Sequence, residues 1–539
     1  MEKINNKYWW WFILLLSAVH LLGMLLIDIM EIDAAQYASI SQEMLQTGEY
    51  LQVHHRYADY LDKPPLLFWL TSFSFNIFGA SNFSFRLPSF LFLIIGLIST
   101  YKLSRLLYDH RTGMLAVLVL YSSQAYFLFS HDVRTDTILA NVVIFAIWQL
   151  WIFIQERKLG SLVLGGIAVG LAMLEKGPIG VMVPVLALGS QILYSRNLKV
   201  LWRWEWLLGL VVIMITISPM VYGLYEQFGF HGIEFYFWTQ SFGRITGQSS
   251  WEDSSTVFYF LHTFLWAFLP WMFIAYYGVG KQLVILVKNK FDGKSPTEII
   301  TLAGFVLTFI AMSLSRYKLP HYVFVVFPLV AIITANTLYQ IIDTTKHKNI
   351  FIGLQWFIWT ALWTAVGFLT FGTFPQVSWV VILIAVVFLI SSFNYLAISK
   401  KLIDKLVYSA LLTMIGVNFV LNSHFYPTLL TYQAGSMAGR YVAEVEEKPE
   451  VYSFKDISHG FDYYSGKVAT NLELNQLKAK SGAWVFTSES GKKAIDEAGI
   501  NYTLVKSFKS FRVTGLTMTF LMPSSRDEAL SERYLLEID

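Results

Sequence analysis

About thirteen apolar stretches, most of roughly 17–25 residues, recur along the 539-residue chain. They cover 9–27, 84–104, 113–131, 136–155, 161–175, 178–195, 207–226, 257–280, 298–314, 319–340, 350–372, 377–397 and 406–425. Runs of this length match the thickness of a bilayer core, and no water-soluble domain needs so many. The pattern predicts an all-α polytopic membrane protein. Charged residues make up only 14% of the chain, against roughly 25% in soluble proteins. The net charge of +3 shows no basic block, so nucleic acid is not an expected partner. Cysteine is absent, which rules out disulfides, thiolate catalysis and cysteine-ligated metals. Residues 9–27 resemble a signal peptide but lack a convincing cleavage site, so an uncleaved anchor is expected.

The basic residues set an orientation. With Lys3 and Lys7 inside, every second loop carries at least two lysines or arginines: 102/105/111, 157/158, 196/199/203, 281/288/290, 346/348 and 400/401/405. The first loop, residues 28–83, then falls outside, in the periplasm of a bacterial inner membrane. So does everything after about residue 430. Residues 1–430 are expected to form the membrane domain. Residues 431–539 change to a mixed, charged composition and are expected to form one small α/β periplasmic domain. Its predicted strands are "VYSF", "AWVFTS" and "TMTFLM", with helices near 472–480 and 492–498.

The candidate chemistry gathers on that outer face. Asp33 follows the first span and shares a helix face with Tyr37, Ile40 and Met44. From spacing alone it reads equally as a helix cap. Lys63 precedes Pro64 and Pro65, which stiffen the chain. A fixed ammonium at the lipid interface suits a phosphate, although a lysine that snorkels or pairs with Asp62 fits the same pattern. Asp132 and Asp136 in "HDVRTDTIL" are four apart. They serve as a cation site, as orienters of a Lys or Arg, or as helix caps. "LEKGPIG" puts Glu175 and Lys176 at a break between two short spans, where irregular backbone tends to line a cavity. "SRYKLPHY" brings Lys318 and Tyr322, and "FWTQSFGRITG" brings Arg244. Several cations converging on the face that holds Asp33 look like an anion site. No nucleotide-binding or zinc-protease motif is present.

These residues resemble the GT-C glycosyltransferases, especially the branch of the bacterial aminoarabinose transferase and the protein O-mannosyltransferases. The resemblance lies in the Asp after the first span with a Tyr four residues on, and in "EMLQTGEY", "DKP", "FGASNFSFR", "KGP", "YKLPHY" and "FLPW". It spans essentially the whole chain and implies inverting transfer of a sugar from a polyprenyl-phosphate carrier to a lipid, glycan or protein acceptor. Asp33 would be the catalytic acid/base, and Lys63 would hold a phosphate. Arg244, Lys318 and Tyr322 would line the donor phosphate pocket, and Tyr37, Asp132, Asp136 and Lys176 are further candidate substrate-binding residues. No cofactor is expected to be required, and a divalent cation is not indicated. Many relatives carry Asp-Glu where this chain has Asp33-Ala34, so a second carboxylate is missing. A transporter or lipid flippase is the competing reading. It calls for inverted repeats and ionisable residues at mid-membrane, whereas the acids here lie mostly at one face. A polysaccharide polymerase or ligase would carry its rich loop late in the chain rather than first.

Overall fold

The computed structural model describes residues 6–240, 243, 255–292, 298–344, 346–446 and 449–539. All thirteen apolar ranges are helical. Among the described residues, nine helices are long and apolar enough to cross a membrane. Two of the other predicted ranges are short helices, Ile179–Tyr194 and Ile300–Ser313. The remaining two are each broken in the middle: His110–Tyr121 is followed by Gln124–Phe129, and Tyr259–Ala267 by Met272–Lys288. The two breaks meet. Trp271 Nε1 donates to Ser122 Oγ at 3.0 Å, and the Gln124 N–H donates to the Leu269 carbonyl at 3.1 Å. Polar backbone freed inside an apolar bundle must find such partners, because no water is there to supply them.

The first helix, α1 (Asn6–Leu26), ends on a buried guanidinium. Arg86 donates to the carbonyls of Met24 (3.0 Å), Ile27 (2.6 Å) and Asp28 (2.9 Å), and also to that of His131 (3.1 Å). The last carbonyls of a helix lack intrahelical donors, and Arg86 supplies them. This accounts for the arginine of "FGASNFSFR". It lies in α4 (Asn82–Leu107), which starts with a capping box between Ser81 and Ser84.

Between these helices runs the first loop. Its helix α2 (Asp33–Thr47) buries Tyr37, Ile40 and Met44, the stripe expected from the sequence. It ends at Gly48, whose φ of 74° is left-handed and whose N–H donates to the Met44 carbonyl at 3.0 Å. A two-stranded hairpin follows, β1 (His54–His55) paired with β2 (Ala58–Asp59). Its turn residues Arg56 and Tyr57 both have positive φ, as a primed hairpin turn requires. Glu43 holds the turn, with its carboxylate accepting the Arg56 N–H at 2.8 Å and the Tyr57 N–H at 2.7 Å. The chain then passes Asp62-Lys63 into α3 (Leu66–Phe78).

The C-terminal residues form a five-stranded mixed sheet, order β4-β3-β5-β7-β6. The strands are β3 (Val451–Phe454), β4 (Thr470–Asn471), β5 (Trp484–Ser488), β6 (Tyr502–Ser510) and β7 (Ser531–Ile538). Two predicted strands are present. The third, "TMTFLM", is instead a short helix, Met518–Leu521, which turns Phe520 into a cluster with Phe374, Phe425 and Phe511. Burial of one aromatic ring overrides the local β-propensity. The edge strand β6 and its neighbour β7 lie in charged sequence that gave no apolar signal.

Candidate functional site

The first loop, the start of helix Thr135–Glu156, the Lys176-Gly177-Pro178 break and the segment 315–322 enclose a cavity of about 320 Å³. Six of the nine candidate residues line it: Asp33, Tyr37, Lys63, Asp136, Lys176 and Tyr322. They come from four separate stretches of chain, so the bundle has assembled what the sequence scatters.

Each charged group in the cavity has a defined partner. Asp33 is the first residue of α2 and forms an ion pair with Arg134. The same guanidinium reaches Asp132, with Nε 3.0 Å from Oδ2. Asp132 sits in the turn before the helix Thr135–Glu156, so it does not share a helix face with Asp136 as four-residue spacing allowed. Its part is to fix Arg134. Burial disfavours the Arg134 cation, but Asp132 and Asp33 more than offset this and hold its pKa above the usual arginine range.

Asp136 is not a helix cap. Both its oxygens accept from Lys176 Nζ, at 2.6 and 2.7 Å. Lys176 ends the helix Leu159–Lys176, where Gly177 adopts a φ of 69° before Pro178. Its ammonium stands 3.7 Å from the centre of the Tyr322 ring, within cation–π range. His321 Nε2 lies 3.6 Å from Asp136 Oδ2. Lys63 contacts Asp62, and Gln240 Nε2 donates to the Asp62 carbonyl at 2.7 Å and to its carboxylate at 3.1 Å. Tyr37 is buried beneath Asp33. Burial and the nearby Asp33 carboxylate push its pKa well above the usual phenol value, so it stays neutral.

The remaining candidates lie elsewhere. Lys318 turns away from the cavity and donates to Ser255, at 3.2 Å to the carbonyl and 3.3 Å to Oγ. Arg244 lies outside the described residues. The position of the missing second carboxylate, Ala34, is fully buried and does not line the cavity. Glu31 does not replace that carboxylate either, because it turns toward Ser458 and Gly460 in the C-terminal domain. Among the described residues, no group of three His, Cys, Asp or Glu is arranged to hold a metal. Sequence reasoning passed over Arg134, although it stands inside the quoted "HDVRTDTIL". The signal was available: a cation placed between two acids has an immediate electrostatic role.

Comparison with known proteins bears on the fold and the sequence family. Residues 62–222 match the family described as dolichyl-phosphate-mannose-protein mannosyltransferase. A curated relative from Proteus mirabilis, an undecaprenyl phosphate-alpha-4-amino-4-deoxy-L-arabinose arabinosyl transferase, is 25% identical over 298 residues, covering 54% of this chain and 52% of its own. A protein of the same name from Pseudomonas fluorescens is 27% identical over 321 residues, covering 59% and 57%. The chain thus spans about half the length of the curated relatives it matches. The crystal structure of ArnT from Cupriavidus metallidurans bound to undecaprenyl phosphate superposes with a TM-score of 0.75 at 18% identity, over 93% of this chain and 97% of that one. The resemblance read from the first loop therefore holds. The chain has the GT-C fold, and it is similar in sequence to the aminoarabinose transferases and, over part of its length, to the protein mannosyltransferases.

Proposed function

We propose that this GT-C protein is an inverting glycosyltransferase that moves a sugar from a polyprenyl-phosphate carrier, undecaprenyl phosphate in the first instance, to a lipid, glycan or protein acceptor. The observation that carries the reading is the shared cavity. The Asp33 carboxylate and the ammonium groups of Lys63 and Lys176, each of these lysines paired with its own carboxylate (Asp62 and Asp136), face the same space of about 320 Å³.

In the proposed reaction the acceptor hydroxyl attacks the anomeric carbon from the side of Asp33. A new carbon–oxygen bond forms as the bond from that carbon to the carrier phosphate breaks, and the configuration inverts. The acceptor proton passes to the Asp33 carboxylate. The electron pair leaves on the phosphate oxygen; Lys63 holds the carrier phosphate in ground and transition state alike, and Lys176 stabilises the growing negative charge. Arg134 holds Asp33 through one oxygen and aims it, and Asp136 keeps Lys176 in place. These cations supply the charge stabilisation, so no cofactor is invoked. Pro178, Ile179, Met182 and Met312 form an apolar side of the cavity suited to the first isoprene units.

The alternation of basic loops supports a cytoplasmic N-terminus, with the cavity and the C-terminal domain on the periplasmic side of a bacterial inner membrane. We place the boundary between membrane and soluble parts near residue 430.

The test is incubation of the purified protein with a panel of radiolabelled polyprenyl-phosphate sugars and candidate acceptors, followed by mass analysis of the labelled product. Transfer by the parent that disappears in Asp33→Asn supports the reading. Absence of transfer from every carrier overturns it.

A further inference from the structure

The cavity residues leave one set of buried contacts unexplained. The segment just before Asp33 is tied to the C-terminal domain through both backbone and side chain. Gln433 accepts the Glu31 N–H at 2.7 Å and donates to the Ile29 carbonyl at 3.1 Å. The Ile29 N–H donates to the Tyr464 hydroxyl at 2.8 Å. The Glu31 carboxylate accepts from Ser458 Oγ at 2.6 Å and from the Gly460 N–H at 2.7 Å. Gly460 permits that approach: a Cβ there would stand 2.4 Å from Ser436 Oγ and 2.9 Å from the Glu31 carboxylate. Seven residues before Lys63, the hairpin is held in the same way. The Arg56 guanidinium pairs with Asp462 and reaches the Ala469 carbonyl. Both anchors grip one helix, His459–Ser465, whose own position is fixed by close packing. A Cβ at Gly439 of the neighbouring helix Ala434–Glu444 would come 2.6 Å from the Phe461 carbonyl.

We propose that the C-terminal domain is a two-armed positioning clamp: Glu31 on Ser458 and Gly460 fixes the start of the helix that presents Asp33, and Arg56 on Asp462 fixes the hairpin that leads into Lys63. Two side chains from one loop must hold a fixed relation in a small cavity, and displacement by about 1 Å costs a large factor in rate. A loop end and a hairpin do not supply such rigidity alone. Fastening both to one short helix does. Glu31 works as a hydrogen-bond acceptor: one carboxylate oxygen, Oε1, takes both hydrogen bonds. Burial pushes its pKa up, and among the described residues it forms no salt bridge. Glu31 and Arg56 are positioning residues, because neither lines the cavity.

The two arms act on different residues, so their loss should be read in different constants. The catalytic part of this expectation rests on the proposed sugar transfer; the binding part does not. Glu31→Ala should lower kcat about tenfold or more and leave the carrier KM within twofold. Arg56→Gln should raise the carrier KM about fivefold or more and leave kcat within threefold. Glu31→Gln, which keeps the accepting oxygen, and Arg56→Lys should each recover most of the parent value. Titration with undecaprenyl phosphate alone, read by intrinsic fluorescence, should show weaker binding for Arg56→Gln and unchanged binding for Glu31→Ala, whether or not any donor is turned over. Because the chain has no cysteine, spin labels at Glu49→Cys and Lys467→Cys report the clamp directly, and their distance distribution should broaden in both arm variants.

Equal losses of kcat and KM in the two variants, as a general loss of folded protein would give, overturn the proposal. So does an unchanged label distance, or an effect under twofold in both. If Glu31→Ala is not recovered folded, Ser458→Ala removes one donor to Glu31 and must give a smaller loss confined to kcat. A Ser458→Ala protein with parental kcat then counts against the clamp.

Discussion

Two of the carboxylate–cation pairs at the cavity are built to opposite ends. Asp33 leaves 38% of its side chain exposed, and Arg134 engages it through one oxygen. Asp136 is 1% exposed, and both its oxygens are taken by Lys176. A carboxylate with a free lone pair beside open space can accept a proton from a substrate. One saturated by an ammonium in a buried pocket cannot, and its use is to hold that ammonium. Four acids of similar sequence appearance surround the site. Asp62 is as exposed as Asp33, at 40%, but both its oxygens have partners, and Asp132 is less exposed, at 23%; Asp33 is therefore the one that the proposed reaction uses as its base.

The largest effect expected from this contrast is on turnover. Asp33→Asn should lower kcat by about 10³, within the usual range for a lost general base, while unfolding in detergent changes little. Residual transfer within tenfold of the parent would erase the distinction. Asp136→Asn should do the reverse in kind. It leaves Lys176 without its counter-charge and should cost about 3–5 kcal/mol of stability, read by chemical or thermal unfolding of the purified protein. A stable Asp136→Asn with no loss would mean that Lys176 does not depend on Asp136. Next, Arg134→Gln should reduce kcat about 10- to 100-fold through loss of aim at Asp33, with partial recovery in Arg134→Lys; steady-state kinetics decide. Lys63→Ala should raise the carrier KM about tenfold and spare kcat by comparison.

The smallest effect uses a third pair, away from the cavity. Burial pushes Asp462 up to about 6, although Arg56 pulls the other way. His55 is lowered to about 3 and His459 to about 4, burial being the main cause; their rings are 4.8 Å apart. A raised acid favours the folded state below its unfolded pKa and loses that contribution as pH rises through 6. Lowered histidines favour it above about 6.5 and lose theirs as pH falls toward 4 and 3. Between pH 6.5 and 4 the two therefore oppose each other. Asp462→Asn removes the side that gains on acidification. Its melting temperature should fall more steeply than the parent's from pH 6.5 to 4, by a few degrees. Parallel curves would show that the histidines, not Asp462, set the acid response.

Much of the fold was legible because its signals are local. Runs of apolar residues must be helical in lipid, since every backbone group needs an internal partner. Gly48 after the helix, Ser81 before one and the Gly-Pro break after Lys176 each act within a turn of themselves. The sheet was less legible. β6 and β7 mix charged and apolar residues without a clean alternation, and "TMTFLM" carries the propensity of a strand, yet its Phe520 is claimed by rings from distant helices. In the site, the residue types were readable and the partners were not. Asp132 and Asp136 looked like one pair by spacing, but a turn between them sends one to Arg134 and the other to Lys176.

The sequence by itself determined that this chain is a helical membrane protein and that its candidate residues gather in the first loop and a few other loops, because hydrophobic length and charge alternation are properties of short windows. Only the tertiary structure decided that Asp33 is held through one oxygen and Asp136 through both, that Lys318 lies outside the cavity lining, and that the C-terminal domain contacts the loop carrying Asp33 and Lys63. Those outcomes depend on contacts between residues up to about four hundred positions apart, such as Arg440 with Asp28 and Ser458 with Glu31, and the geometry of packing alone selects among them.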